Sequence, residues 1–205
     1  MTTRIDVLLY DGFDELDAIG PFEAFQNAAR ADADCTVSLV TRERRERVIA
    51  SHGLDVGVDG ILADPDEDDA PDLLVVPGGG WSAGEGGVRR EYAAGDLPEA
   101  IFAHHAAGTT IASVCTGAML LERAGVLGDG PAITHQSAVD DLRDAGVEVA
   151  DARVVDAGQV VTAGGVTSGI DLALHLIERE FGADIADSVA TTLEYERDED
   201  VLVVN

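Results

Sequence analysis

Apolar and polar positions along this chain switch repeatedly between the period of a strand and that of a helix. Residues 4–10 (RIDVLLY) form a nearly continuous apolar run closed by Asp11-Gly12, the pattern of a buried first strand and its turn. Residues 14–30 follow with helical spacing, opened by Asp14 and interrupted by Pro21, which predicts a late start or a kink there. Residues 35–40 (CTVSLV) alternate and read as a second strand; 47–50 and 54–58 read as short strands around Ser51-His52-Gly53. Residues 73–76 (LLVV) are wholly apolar and end at Pro77 and three glycines, as a central parallel strand would. Helices are expected at 87–94 and 97–107, a strand at 109–114 and helices at 117–124 and 137–145. Strands at 148–155 and 159–162 flank Asp156-Ala157-Gly158, and helices at 166–181 and 185–195 complete the pattern. Strands alternating with helices imply an α/β fold: one doubly wound, mostly parallel sheet sandwiched by helices, in a single domain over residues 1–205.

Charge changes what this fold can be asked to do. Forty acids stand against thirteen bases, for a net charge of −27, and every base is Arg. The acids run from Asp6 to Asp200 rather than forming one tail, which predicts a solvated acidic surface suited to a salt-rich cytoplasm. No nucleic-acid partner is expected, because phosphate contacts need clustered cations. The one basic cluster, Arg42, Arg44, Arg45 and Arg47, is interrupted by Glu43 and Glu46 and reads as a solvated hairpin. The absence of Lys excludes Schiff-base and P-loop lysine chemistry. The longest uncharged stretch, 104–121, carries His, Thr and Ser, so no membrane span is expected. Two cysteines and an N-terminus without a signal-peptide pattern point to the cytoplasm.

In doubly wound sheets, ligands sit at the carboxyl ends of the strands. Three such ends carry chemistry here: the first leads to Asp14, Glu15 and Asp17, the second to Gly78, Gly79 and Gly80, and the third to Cys115, Thr116 and Gly117. The third has the pattern of a nucleophile elbow, in which a strand stops at one reactive side chain and small residues let a helix begin. A helix N-terminus stabilises a thiolate, so Cys115 is expected to ionise near neutral pH while Cys35, in mid-strand, stays an inert core residue. Amides of the glycine loop would face an oxyanion beside the sulfur. Gly80-Trp81-Ser82-Ala83-Gly84 matches G-x-S-x-G, but Pro77 and the glycines separate it from the strand, which argues against a serine nucleophile. His52, His104, His105, His135 and His175 form no H-x-x-x-H pair and no C-x-x-C exists, so neither a metal nor a cofactor is expected. His175 reads as structural and His104 and His105 as helix-end caps, whereas His135 could end a strand near Cys115.

SVCTGAMLLERAGVL around Cys115, VVPGGG, DELDAIGPFEAF, AITH and TAGGVTSGIDLALHLIE together resemble the ThiJ/PfpI superfamily over nearly the whole chain. The resemblance implies a flavodoxin-like, class I glutamine amidotransferase-like fold. The D-x-x-G-P-x-E pattern and the C-T-G elbow are most similar to isonitrile hydratase-like members, which convert an isonitrile to an N-substituted formamide. On that resemblance Cys115 matches the nucleophile and Asp17 the carboxylate beside it. Thr116 matches the residue whose N–H joins Gly79 in the oxyanion site, with Gly80 and Gly117 beside them, and His135 matches the site histidine. Regulators of this branch carry an added DNA-binding helix-turn-helix, and with the sequence closing at Asn205 that role is not expected here.

The expected function is a cysteine-dependent hydratase or hydrolase on a small electrophilic molecule. Glyoxalase- or deglycase-like chemistry on reactive aldehydes is the alternative, together with intracellular peptidase activity and a redox-sensing or chaperone-like role for Cys115. A homodimer is implied by the resemblance. Ala18, Ile19, Phe22 and Phe25 add a reason, since at helical spacing they cannot all face one sheet unless Pro21 bends the segment. The charge yields a direct expectation. Screening shortens from about 30 Å at 0.01 M salt to about 3 Å at 1 M, so melting followed by circular dichroism should show a midpoint that rises with KCl. A midpoint indifferent to salt contradicts the high-salt reading.

Overall fold

The computed structural model describes residues 2–82, 86–198 and 200–204. The first apolar run forms β1 (Thr3–Leu8), and helix α1 (Glu15–Arg30) follows it. Next come β2 (Cys35–Thr41), the hairpin β3 (Arg47–Ile49) and β4 (Asp55–Gly57), β5 (Gly60–Ile61) and β6 (Leu73–Val76). Helices α2 (Gly87–Ala94) and α3 (Asp96–Ala107) lead to β7 (Thr110–Val114) and, through a 3₁₀ turn at Cys115–Gly117, to α4 (Ala118–Ala124). A second 3₁₀ turn (Gln136–Ala138) precedes α5 (Val139–Asp144), and β8 (Val154–Asp156), β9 (Val160–Ala163), α6 (Ser168–Phe181), α7 (Ala183–Thr192) and β10 (Val201–Val203) complete the order.

Eight strands form one sheet in the order β10-β8-β9-β7-β6-β1-β2-β5, while β3 and β4 pair separately. Every pairing in the large sheet is parallel except β8 with β9. This is the expected mostly parallel α/β fold. Its centre is apolar because a parallel strand is covered on both faces: all four residues of β6 are buried, as are the last four of β7. Helices α1, α6 and α7 pack together in one layer, and α2, α3 and α4 in the other. Among the described residues no helix is long and apolar enough to cross a membrane.

Pro21 neither delays nor ends α1, which begins at Glu15 and runs through it. The missing N–H removes one helical bond, but Pro21 is buried, and Gly169 on α6, having no side chain, leaves room for its ring: a Cβ there would lie 3.3 Å from Pro21 Cγ. Ala18 and Phe25 are buried, while Ile19 and Phe22 are half-buried and pack on the core. The apolar side chains left outside near the start of α1 are instead Leu16, Ile49 and Leu54. Residues 148–155 do not form one strand. Only Val154–Asp156 does, with a single bridge between Ala132 and Val149 before it. Of the arginine cluster only Arg47 lies in the hairpin, its Nε 2.7 Å from Asp55; Arg42, Arg44 and Arg45 lie in the exposed segment between β2 and β3, where Arg45 Nη1 is 2.6 Å from Asp11.

Candidate active site

Strand β7 ends at Cys115, whose φ of +59° places a residue with a Cβ in the left-handed region. Such strain persists where the surroundings over-determine it. Thr134 Oγ1 donates to the Cys115 carbonyl at 2.9 Å, and Gly117 fits only because a Cβ there would collide with the Val76 carbonyl. The elbow is thus held from the β6 side and from the segment before α5.

Asp17 lies one turn into α1 and is wholly buried. Its Oδ2 accepts the Gly78 N–H at 3.0 Å, and Oδ1 has no hydrogen-bond partner among the described residues. Only glycine fits at 78, since a Cβ would stand 2.6 Å from Thr116 N and 2.9 Å from Asp17 Oδ2. Tyr10 fixes the same loop from below, its hydroxyl lying 2.5 Å from the Pro77 carbonyl and 3.1 Å from that of Gly78. Burial and the neighbouring Asp14 charge raise the Asp17 carboxyl to about 7, against the lowering pull of the Gly78 amide and the Cys115 side chain. Burial, followed by the Asp17 charge, pushes the Cys115 thiol well above its ordinary value, although the Thr116 amide pulls it down. The two groups sit in one low-dielectric space, and among the described residues no cation pairs with either. They hold a proton readily, and deprotonating both is disfavoured.

This corrects the expectation of a thiolate near neutral pH. The helix after Cys115 is a 3₁₀ turn and then only seven residues, and desolvation outweighs its dipole. Cys35 is buried in β2, its thiol also raised by burial, and Sγ lies 4.0 Å from the Phe25 carbonyl, as an inert core cysteine would.

Residues 3–179 match the family model described as the DJ-1/PfpI family. The chain belongs to the DJ-1/PfpI family. It is 33% identical over 197 residues to the isonitrile hydratase of Pseudomonas putida, covering 95% of this chain and 79% of that one. It is 32% identical over 161 residues to a deglycase of Pyrococcus abyssi, covering 78% and 88%. Among solved structures, a ThiJ/PfpI family protein from Pseudomonas syringae superposes with a TM-score of 0.83 at 24% identity, over 97% of this chain and 77% of that one. Oxidised DJ-1 of Toxoplasma gondii gives 0.78 at 25% identity, over 94% and 98%.

In this DJ-1/PfpI protein the fold brings Cys115, Asp17, Thr116, Gly117 and the loop of Gly78, Gly79 and Gly80 together. Gly79 does not present a free amide, because its N–H donates to Thr116 Oγ1 at 2.9 Å. The expected pairing of Gly79 and Thr116 amides as oxyanion donors therefore gives way to a Thr116 side chain that orders the loop, while the Thr116 amide faces the sulfur. The hydrogen bonds of His135 run to Ser137, at 2.9 Å to Oγ and 3.2 Å from its N–H, and its neighbour Thr134 reaches Cys115. Tyr10 and Thr134 were missed by sequence reasoning, and Gly78, read there as part of an oxyanion loop, instead gives its amide to Asp17. The signal for the two missed residues lay in the run Leu-Tyr-Asp-Gly and in the Thr beside His135. In the G-x-S-x-G match, Ala83 and Gly84 lie outside the described residues, while Trp81 is buried with Nε1 donating to Asp141 at 2.6 Å.

The raised Asp17 carboxyl makes a signed prediction. From its ordinary 3.8 up to about 7, the native state holds a proton that the unfolded chain has lost, so stability falls as pH rises through this window. Asp17→Asn mimics the protonated form. Its melting temperature should match the wild type near pH 4 and exceed it increasingly toward pH 8. A variant that is less stable at pH 8 contradicts the raised carboxyl.

Proposed function

We propose that this chain is a cysteine-dependent hydratase of small electrophiles, with isonitriles as the substrate class and N-substituted formamides as products. The observation that carries the reading is the buried Asp17 carboxyl, raised to about 7, against the buried Cys115 thiol. A base poised near neutrality is what a protonated nucleophile needs, because it takes the thiol proton only as sulfur attacks. Sulfur bonds to the isonitrile carbon, the proton passes through Asp17 to that carbon, and a thioimidate forms. Water then adds to the same carbon while nitrogen takes a proton. The carbon–sulfur bond breaks, releasing the formamide and returning the proton to sulfur. One isonitrile and one water give one formamide. The Thr116 hydroxyl, already accepting the Gly79 amide, keeps its own proton free for the substrate side.

The 33% identity to the Pseudomonas putida isonitrile hydratase over 95% of this chain supports this choice. Deglycase-like action on an aldehyde adduct is the second reading, supported by 32% identity to the Pyrococcus abyssi protein. A redox-sensing role is disfavoured by the raised thiol, since oxidation proceeds through the thiolate. The proposal includes a homodimer in a salt-rich cytoplasm. Leu16, Ile49 and Leu54 are 39%, 48% and 49% exposed, and Glu15 ties their two elements together by accepting the amides of His52 at 2.8 Å and Leu54 at 3.4 Å. A second copy laid over them would shield the mouth of the pocket.

Wild type should convert cyclohexyl isonitrile to its formamide, and Cys115→Ala should abolish this. Asp17→Asn should lower turnover by about 10²- to 10⁴-fold, the usual weight of acid–base catalysis. Turnover of methylglyoxal or peptides without isonitrile hydration overturns the substrate class, and full activity in Cys115→Ala overturns the mechanism.

A further inference from the structure

The peptide unit between Pro77 and Gly78 is gripped from both ends. A trans peptide carries its C=O and its N–H on opposite sides. Here the Gly78 N–H donates to Asp17 Oδ2 at 3.0 Å. The carbonyl of the same unit, that of Pro77, accepts the Tyr10 hydroxyl at 2.5 Å. A tyrosine hydroxyl has one proton to give, and the Gly78 carbonyl, 3.1 Å away, already takes the Asp14 amide at 2.8 Å. The Tyr10 proton therefore goes to Pro77. Two hydrogen bonds run in series through one peptide, from hydroxyl to carbonyl and from amide to carboxyl.

Both ends of this series come from one stretch of sequence. Tyr10 lies just past β1, where its carbonyl accepts the Phe13 amide at 3.1 Å and closes the turn into α1; Asp17 lies one turn into that helix. The stretch closes tightly on the glycine loop, since a Cβ on Gly79 would stand 2.5 Å from Asp14 N and 2.7 Å from the Gly12 carbonyl. Tyr10 is itself buried, so its hydroxyl is held by these carbonyls rather than by solvent.

Hydrogen bonds in series polarise one another. A donor on the Pro77 oxygen draws electron density from the Gly78 nitrogen and makes its N–H a stronger donor. A stronger N–H favours the charged form of the carboxyl it meets. Burial and then the Asp14 charge, from the same helix, resist ionisation of Asp17; the Gly78 amide and, after it, the Cys115 side chain favour it. The amide is thus the larger pull toward the carboxylate, and Tyr10 stands behind it. The hydroxyl keeps its own proton meanwhile, because burial and then the charges of Asp17, Cys115, Glu91 and Asp14 all oppose its loss.

We propose that Tyr10 is a positioning residue for Asp17: through the peptide between Pro77 and Gly78, its hydroxyl sets how readily that carboxyl gives up its proton. Tyr10 transfers no proton itself. The inference deepens the reading of Asp17 as the base that takes the Cys115 proton during hydration, and rests on it.

Tyr10→Phe keeps the ring and removes only the oxygen. Melting temperatures of the wild type, Tyr10→Phe, Asp17→Asn and the double variant, measured on the full chain in molar KCl at pH 5 and pH 8, test the coupling. At pH 8, above the titration of Asp17, Tyr10→Phe should cost about 1–3 °C more in the wild type than in Asp17→Asn. At pH 5, with the carboxyl protonated, that excess should vanish. An oxygen that serves only to satisfy a carbonyl costs the same in both backgrounds at both pH values. The same cycle with 3-fluorotyrosine at position 10, a stronger donor that keeps the oxygen, should give an excess of opposite sign, and it decides the matter if Tyr10→Phe does not fold. In the isonitrile assay, the rise of kcat/KM with pH should move up by a few tenths of a unit in Tyr10→Phe. Equal losses in both backgrounds at pH 8, or a rise that stays in place or moves down, overturn the proposal. A wild type that hydrates no isonitrile overturns the hydratase reading instead, since the melting cycle involves no substrate.

Discussion

A carboxyl and a thiol buried together without a cation hold their protons against ionisation, and the architecture around them serves to keep them that way. Asp17 comes from the first turn of α1 and Cys115 from the end of β7, elements far apart in sequence that only the parallel order of β7, β6 and β1 brings side by side. Gly78 closes the space from the third side, with its amide on the carboxylate and no room for a side chain. Burial is what holds the carboxyl's proton affinity up, since a hydrated carboxyl returns toward its ordinary value.

Other buried acids in the chain show what sets Asp17 apart. Asp171 lies 2.5 Å from Arg153 and 2.8 Å from the Tyr195 hydroxyl. Asp156 lies 2.7 Å from His175 and 3.2 Å from Arg179; burial raises its carboxyl, but His175, the Gly158 amide and Arg179 together bring it below the usual value. These are structural acids, charged and paired, as burial normally demands. Asp17 has a backbone amide and a thiol instead. Asp6 on β1 is likewise raised to about 7, by burial and the Asp69 charge, so what distinguishes Asp17 is that its raised carboxyl shares its space with the Cys115 thiol.

The central frame was legible because parallel strands covered on both faces are written as short apolar runs, and 73–76 and 109–114 carry that pattern without competing signals. Strands β5 and β10 were not legible: they are two and three residues long, exposed or half-exposed, and exist only through pairing with β2 and β8. Residues 148–155 alternate like a strand, but the backbone and side chain of Arg153 are drawn to Asp200 and Asp171, which restricts regular pairing to its end. At the site, the identities of Cys115, Asp17 and the glycine loop could be read from motif and strand-end position. Their proton affinities could not. A helix start after a cysteine suggests a stabilised thiolate, and only the three-dimensional burial beside a second acid reverses the sign. Gly79 follows the same logic: a glycine run advertises free amides, and only the fold reveals that Thr116 already occupies one.

Everything proposed for the chemistry rests on Asp17 and Cys115 acting on each other's protons. The pH dependence of Cys115 alkylation by iodoacetamide, read by peptide mapping, measures that interaction at the sulfur itself. In the wild type the rate should still be climbing above the ordinary thiol range near 8.5. In Asp17→Asn, with the carboxylate charge gone, the profile should shift to lower pH. A wild-type rate that reaches its plateau below pH 7, or a profile that Asp17→Asn leaves in place, would contradict the account.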